Sequence, residues 1–279
     1  MGGPYEGHGP PVTVHYNLRW FLSDDTQMTL ATCEAIGEFG TVNAELIADR
    51  YVRWFRRHRI SGMGASTLKA LADLATGVHW SMAGRKGEMA AGNGAAMRIA
   101  PLAFVLNPEK ETERELIHDV CRITHRNEEA YAGVLAVVLA IQAVMKPGWS
   151  WQQNLPAQIF PLLPDTKVRG RLQMIAALDR NTTVYDVGRQ FGASGYVVES
   201  VPLAIYGAQK MGSMNFTGLM EHVIAAGGDA DTNASIAGQI AGAWLGFSKL
   251  PVDLIERLPG GDKTLEIAKG FAEAVQGFR

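Results

Sequence analysis

Leu46-Ile47-Ala48-Asp49-Arg50-Tyr51-Val52-Arg53-Trp54-Phe55 is the stretch on which the fold turns. Leu46, Ile47, Tyr51, Trp54 and Phe55 fall on one stripe at i, i+3, i+4, i+7 spacing, the signature of an amphipathic helix. Working outward, the same spacing links Leu68, Leu71, Leu74 and Ala75, then Leu116, Ile117, Val120 and Ile123. It returns in Phe216, Leu219, Met220, Val223 and Ile224, and in Leu265, Ala268, Ala272 and Val275. No alternating run is long enough to require a strand and no regular hairpin turn appears, although short pieces such as Tyr196 to Val201 read either way. The chain reads as all-α, one compact multi-helix domain over residues 1–279.

The chain's 279 residues can bury roughly three quarters of the surface exposed when unfolded, enough for a core without staples. With 26 Lys and Arg against 28 Asp and Glu the net charge is −2, which excludes a strong nucleic-acid footprint. Cys33 and Cys121 are the only cysteines, so there is neither a disulfide framework nor a four-cysteine metal site. Met1 to Pro11 lacks the apolar stretch of a signal peptide. The longest apolar run, Ala130 to Met145, is interrupted by Gly133 and Gln142 and falls short of the about 20 residues of a membrane span. It reads as a buried core helix of a soluble, cytoplasmic monomer without a membrane partner. Two irregular stretches, Ser81 to Gly94 and Pro147 to Pro164, separate helices and are too apolar for flexible linkers.

Two acidic clusters each open a helix. Ser23-Asp24-Asp25-Thr26 runs into Met28, Ala31, Ala35, Ile36 and Phe39, and Gly227-Gly228-Asp229-Ala230-Asp231-Thr232-Asn233 runs into a second apolar segment. Ordinary helix capping accounts for one such residue per helix. A second carboxylate adds repulsion, which a hard divalent cation relieves, and carboxylate and hydroxyl oxygens are the ligands Mg²⁺ or Mn²⁺ prefers. If the clusters face each other they could hold two ions, a familiar hydrolytic arrangement. After the second cluster, Ala234, Gly238, Gly242 and Gly246 recur every four residues, a small face that would let another helix approach closely.

Gly92-Asn93-Gly94, ahead of an apolar segment expected to be helical, makes a loop whose backbone N–H groups could cradle phosphates; it matches neither a Walker A loop nor a Rossmann fingerprint. Arg98 reads as a phosphate partner or a surface charge. His125 is a lone histidine without zinc-site spacing, and no Gly-x-Ser-x-Gly elbow occurs.

As a set, Ser23-Asp24-Asp25-Thr26-Gln27-Met28-Thr29-Leu30, Gly92 to Pro101, Thr124-His125-Arg126-Asn127, Ser194 to Glu199 and Gly227 to Asn233 resemble the ADP-ribosylglycohydrolase family. That family includes dinitrogenase-reductase-activating glycohydrolases and ADP-ribosylarginine and ADP-ribosylserine hydrolases. The resemblance implies an all-α fold with two Mg²⁺ (Mn²⁺ a substitute) at the bottom of an ADP-ribose cleft. Ser23, Asp24, Asp25, Asp229, Asp231 and Thr232 would be the metal ligands, with Glu6, Asp24, Asp25 and Asp229 catalytic. Gly92, Asn93, Gly94, Met97, His125, Gly195 and Tyr196 would line the ADP-ribose groove, His125 at a phosphate. The implied substrate is an ADP-ribose-modified protein side chain, arginine or serine, or a small ADP-ribose conjugate; the alternative is a non-catalytic, crystallin-like relative. Two departures stand out. The family's usual N-terminal helix is missing ahead of Pro4-Tyr5-Glu6-Gly7, and Gly62 to Thr67 lacks the acid that nitrogenase-regulating members carry in that loop.

Overall fold

The computed structural model describes residues 22–276. They form fourteen α-helices: α1 (Asp24–Phe39), α2 (Ala44–Arg56), α3 (Ala65–Ala75), α4 (Trp80–Ala83), α5 (Glu111–Arg122), α6 (Glu128–Met145) and α7 (Leu155–Ile159), followed by α8 (Lys167–Ala176), α9 (Val184–Phe191), α10 (Val197–Gln209), α11 (Phe216–Ala225), α12 (Ala230–Leu245), α13 (Val252–Glu256) and α14 (Gly261–Val275). The expected all-α class is what forms. Two strands of two residues each, β1 (Arg85–Lys86) and β2 (His125–Arg126), pair in parallel and pin the Ser81–Gly94 stretch beside the start of α6. They are too short to leave a period in the sequence.

Several helices begin where a side chain can accept from their free N–H groups. Asn43, Asn127, Thr166 and Asn215 each cap the following helix, and Thr183 forms a reciprocal box with Asp186. At the centre lies α6, buried without a break from Ala132 to Ile141 because it is apolar on every side. Among the described residues it is the one helix long and apolar enough to cross a membrane, and 72% of it is buried inside the protein. It packs against α10 and α12. Gly133 allows the closest approach: a Cβ there would stand 2.3 Å from Val197 Cγ2 of α10.

Several local expectations are corrected. The small-residue stripe of α12 is a packing seam only in its first half. A Cβ at Gly238 would meet Met220 Sδ (3.6 Å) and Phe216 Cζ (3.7 Å) of α11. One at Gly242 would meet nothing within 4 Å, and Gly246 lies past the helix end. The buried face of α12 is instead Asn233, Ile236, Ala237, Ile240 and Ala241. In α14 the buried residue is Phe271, while Ala268 and Ala272 are exposed. Leu68 also points outward, and α3 buries Ser66, Thr67, Ala70 and Leu71. The segment after Gly94 winds into short 3₁₀ turns, Ala96–Arg98 and Ala100–Phe104, rather than an α-helix. Tyr196 to Val201, ambiguous in sequence, is the start of α10, and the Pro147–Pro164 stretch contains α7.

Candidate active site

Neither acidic cluster caps its helix. Ser23 at the start of α1 and Asp229 at the start of α12 occupy the capping positions, yet neither side chain accepts from the helix backbone. Ser23 Oγ donates instead to Asp25 Oδ2 (2.8 Å), and Asp229 Oδ2 accepts from Asn93 Nδ2 (2.7 Å). Asp25 is 1% exposed, and its Oδ1 is buried with no hydrogen-bond partner. An orphaned carboxylate oxygen in such a place costs free energy unless something absent from the protein's own groups satisfies it.

Crowding shows in the proton affinities. Burial lifts Asp24 to about 6, helped by the charge of Asp25 and then by Asp231 and Asp229. Asp229 rises to about 6, again chiefly through burial, with Asp231 and Asp25 adding and the Asn93 hydrogen bond opposing. Asp25 is raised by burial and by Asp231, while the Ser23 and Thr232 hydroxyls work the other way. The starts of α1 and α12, far apart in sequence, therefore face each other. Their donor set, carboxylates plus hydroxyls with one buried oxygen unused, suits a hard cation such as Mg²⁺. Among the described residues no three such side chains are already gathered as a ready cage; Glu6 lies outside the described residues.

The clusters open onto a cleft of about 350 Å³. Ten expected residues line it: Asp24, Gly92, Asn93, Gly94, Met97, His125, Gly195, Asp229, Asp231 and Thr232. The loops are stitched together by backbone. Gly92 bridges Tyr196, Asn93 N–H donates to Gly195 O (3.0 Å), and Val197 N–H donates to Ala91 O (3.0 Å). Asp229 N–H and Asn233 Nδ2 both donate to Ala193 O, each at 2.8 Å. Gly228, at φ 66°, must be glycine here, since a Cβ would come within 2.2 Å of that same oxygen. Gln239 of α12 donates to Met97 O (2.6 Å), tying the 3₁₀ turn to the second acidic helix.

Among the described residues, three expected site residues are not part of the cleft lining: Tyr196, expected in the groove, and Ser23 and Asp25, expected as metal ligands. Tyr196 contributes only its backbone bridge, and Asp25 is buried, accepting from Ser23. Arg98 is neither surface charge nor direct phosphate partner: it is fully buried, donating to Gly94 O, Tyr51 Oη and Thr124 Oγ1. A larger cavity of about 530 Å³, lined by Thr41, Phe104, Lys110, Glu113 and Gln142 among others, contains none of the motif residues.

The family model described as ADP-ribosylglycohydrolase matches residues 1–278. The chain belongs to the ADP-ribosylglycohydrolase family. It is 29% identical to an uncharacterized protein of Archaeoglobus fulgidus over 90% of this chain and 80% of that one. It is 26% identical to ADP-ribosylarginine hydrolase Tri1 of Pseudomonas putida, over 88% of this chain but only 65% of the relative, just under two thirds of its length. It is 25% identical to ADP-ribosylhydrolase ARH3 of Mus musculus over 92% and 78% of the two chains. A solved structure titled ADP-ribosylglycohydrolase-related protein complex superposes with a TM-score of 0.65, covering 91% of this chain and 82% of that one at 23% identity, a likeness of fold.

Sequence reasoning missed part of the cleft wall. Gly62, Gly64, Ala65, Ser66, Thr67, Arg85 and Met89 also line it. In the sequence, the loop and first turn of α3 stand out only for lacking a carboxylate. Ser66 and Thr67 sit one turn before Ala70 and Leu71 on a buried helix face, a polar interruption that could have marked them. Arg85 reaches the cleft because β1 pairs with β2 in register with His125, a tertiary event.

Proposed function

We propose that this protein is a divalent-metal-dependent hydrolase that cleaves the glycosidic bond between ADP-ribose and a modified side chain or small conjugate. The observation that carries the reading is the convergence of two doubly acidic helix starts that do no capping and leave a buried carboxylate oxygen unsatisfied. Such an arrangement is costly for a merely structural protein, and that favours an enzyme over a non-catalytic relative. The names of relatives acting on ADP-ribosylarginine or as ADP-ribosylhydrolases support the same class.

Asp24, Asp25, Asp229, Asp231 and Thr232 would hold one or two Mg²⁺ or Mn²⁺ ions. When bound, such ions supply charge neutralisation and polarise oxygens of the distal ribose and of a water. The protein's own residues do the rest. Asn93 holds Asp229 in place by its 2.7 Å bond while lining the same cleft. The glycines at 92, 94 and 195 keep the wall thin enough for ligand to approach backbone, since a Cβ at Gly195 would stand 3.2 Å from Asp229 Oδ2. Asp24 and Asp229 line the cleft where an attacking water would stand, and a carboxylate oxygen there left free of metal would accept its proton.

The deciding experiment is hydrolysis of ADP-ribosyl-arginine, ADP-ribosyl-serine and an ADP-ribose acetyl ester by protein stripped with EDTA, before and after Mg²⁺ or Mn²⁺ is restored. Turnover of at least one substrate that depends on the added metal is expected. Full activity in stripped protein would overturn the metal reading, and no activity on any substrate with metal present would favour the non-catalytic relative.

A further inference from the structure

His125, the one histidine lining the cleft among the described residues, is held by a buried chain of side chains. Arg98 is fully buried and has no carboxylate partner among the described residues. Its guanidinium donates to Gly94 O (3.2 Å), to Tyr51 Oη and to Thr124 Oγ1 (2.7 Å). Thr124 Oγ1 in turn lies 2.8 Å from His125 Nδ1.

Proton bookkeeping settles the direction of that last bond. Arginine carries donors only, so Thr124 Oγ1 must accept from Arg98. Thr124 is fully buried and its hydroxyl has one other neighbour of hydrogen-bonding type, His125 Nδ1. Were Nδ1 protonated, it would donate to Thr124, and the hydroxyl hydrogen would be left buried without an acceptor. The hydroxyl therefore donates to Nδ1, which leaves the single proton of a neutral imidazole on Nε2. Nε2 has no partner among the described residues, is not among the buried orphans, and belongs to a residue lining the cleft. It stands between the two loop glycines: a Cβ at Gly92 would lie 3.2 Å from it and one at Gly94 3.4 Å. Any side chain at either position would crowd the approach to it.

We propose that Arg98 and Thr124 are positioning residues that lock His125 as a neutral Nε2–H donor aimed at an anionic oxygen of the ligand, the pyrophosphate on the reading above. His125 then serves as a fixed hydrogen-bond donor and not as a general acid or base. Its environment agrees, since burial and the charges of Arg98 and Arg85 drop its proton affinity to about 3. The identity of the acceptor rests on the proposed function; the tautomer does not.

The test separates the two. Long-range ¹H–¹⁵N correlation spectra of protein labelled with ¹⁵N-histidine, with the His125 signals assigned by their loss in His125→Gln, report the tautomer directly. A neutral Nε2–H pattern, unchanged between pH 6 and 8, is expected. An Nδ1–H pattern or an imidazolium at pH 7 would overturn the proposal, whether or not any variant folds. Thr124→Val should abolish the fixed pattern and weaken ADP-ribose binding by calorimetry about tenfold, with Thr124→Ser restoring both. A Thr124→Val protein that retains the Nε2–H pattern and full affinity would refute the positioning role. Wild-type protein that shows the pattern yet binds no ADP-ribose would sustain the tautomer lock and overturn the ligand and the function reading.

Discussion

Replacing Asp24 by Asn should make the metal-free protein more stable while destroying its activity. Asp24 is 8% exposed, and burial and neighbouring charge lift its carboxyl from 3.8 to about 6. A carboxyl whose folded value lies above its unfolded value binds its proton more tightly in the folded state, so stability falls as pH rises from about 4 to about 6 and stays lost above. The shift of about two units corresponds to about 3 kcal/mol of destabilisation at neutral pH. Asn keeps the shape and removes the charge, recovering that sum less the about 0.3–1 kcal/mol that an acid in a first helical turn contributes. About 2 kcal/mol remains, or about 4–8 °C in melting temperature for a chain of this size. The assay is thermal unfolding in EDTA at pH 7.5 and pH 5 for both proteins. Asp24→Asn should melt higher at pH 7.5, with the advantage shrinking at pH 5 as Asp24 of the wild type takes up its proton. Added Mg²⁺ should stabilise the wild type by mass action and the variant far less. An unchanged or lower melting temperature for the variant at pH 7.5 would refute the crowding on which the site assignment rests.

Three further outcomes are expected. Asp25→Asn and Asp231→Asn should each lower turnover by orders of magnitude, and the double variant should be little worse than either, because groups that act as a unit are not additive; near-wild-type steady-state rates for both single variants would overturn the assignment of these carboxylates as metal ligands. Asn93→Ala, which removes the bond to Asp229, should raise KM about tenfold and change kcat much less, as measured by initial rates on the best substrate; a loss confined to kcat would contradict a positioning role. Gly133→Ala should destabilise by about 1–3 kcal/mol, because its Cβ would lie 2.3 Å from Val197 Cγ2, well inside the about 3.5–4.0 Å of normal carbon contact, and this outweighs the about 1 kcal/mol that alanine gains over glycine in a helix. Gly270→Ala in α14, where a Cβ meets nothing within 4 Å, should instead stabilise, and denaturant titration of the pair shows whether the α6–α10 contact is as close as described.

Much of this was legible in the order of residues. Helical spacing is a local property, so stripes such as Leu46 to Phe55 announced their helices without knowledge of any neighbour, and α2 buries Ile47, Tyr51 and Trp54 as that stripe requires. The acidic clusters were also visible, since a second carboxylate exceeds what a cap needs, whereas the Gly92–Gly94 loop and His125, ordinary as a turn and a lone histidine, entered the site through the family resemblance. Local pattern could not say which faces meet. The repeated small residues of α12 suggest a close seam along the whole helix, yet of its glycines only Gly238 meets a neighbouring helix, α11, and only in ordinary contact. Gly133, in sequence a mere interruption of an apolar run, sits where a Cβ could not fit between α6 and α10. Arg98 reads in sequence as a phosphate partner or a surface charge because its own segment offers it only the Gly94 carbonyl; its side-chain partners, Tyr51 and Thr124, come from elements 47 and 26 residues away. Likewise Ser23, Asp229 and Asn215 are equally good capping residues by type, and only the opposing pull of Asp25 and Asn93 turns the first two from their backbones while Asn215 caps. Burial, proton affinity and the choice between partners are set by groups distant along the chain. They follow from long-range packing, which a 3.6-residue period does not encode.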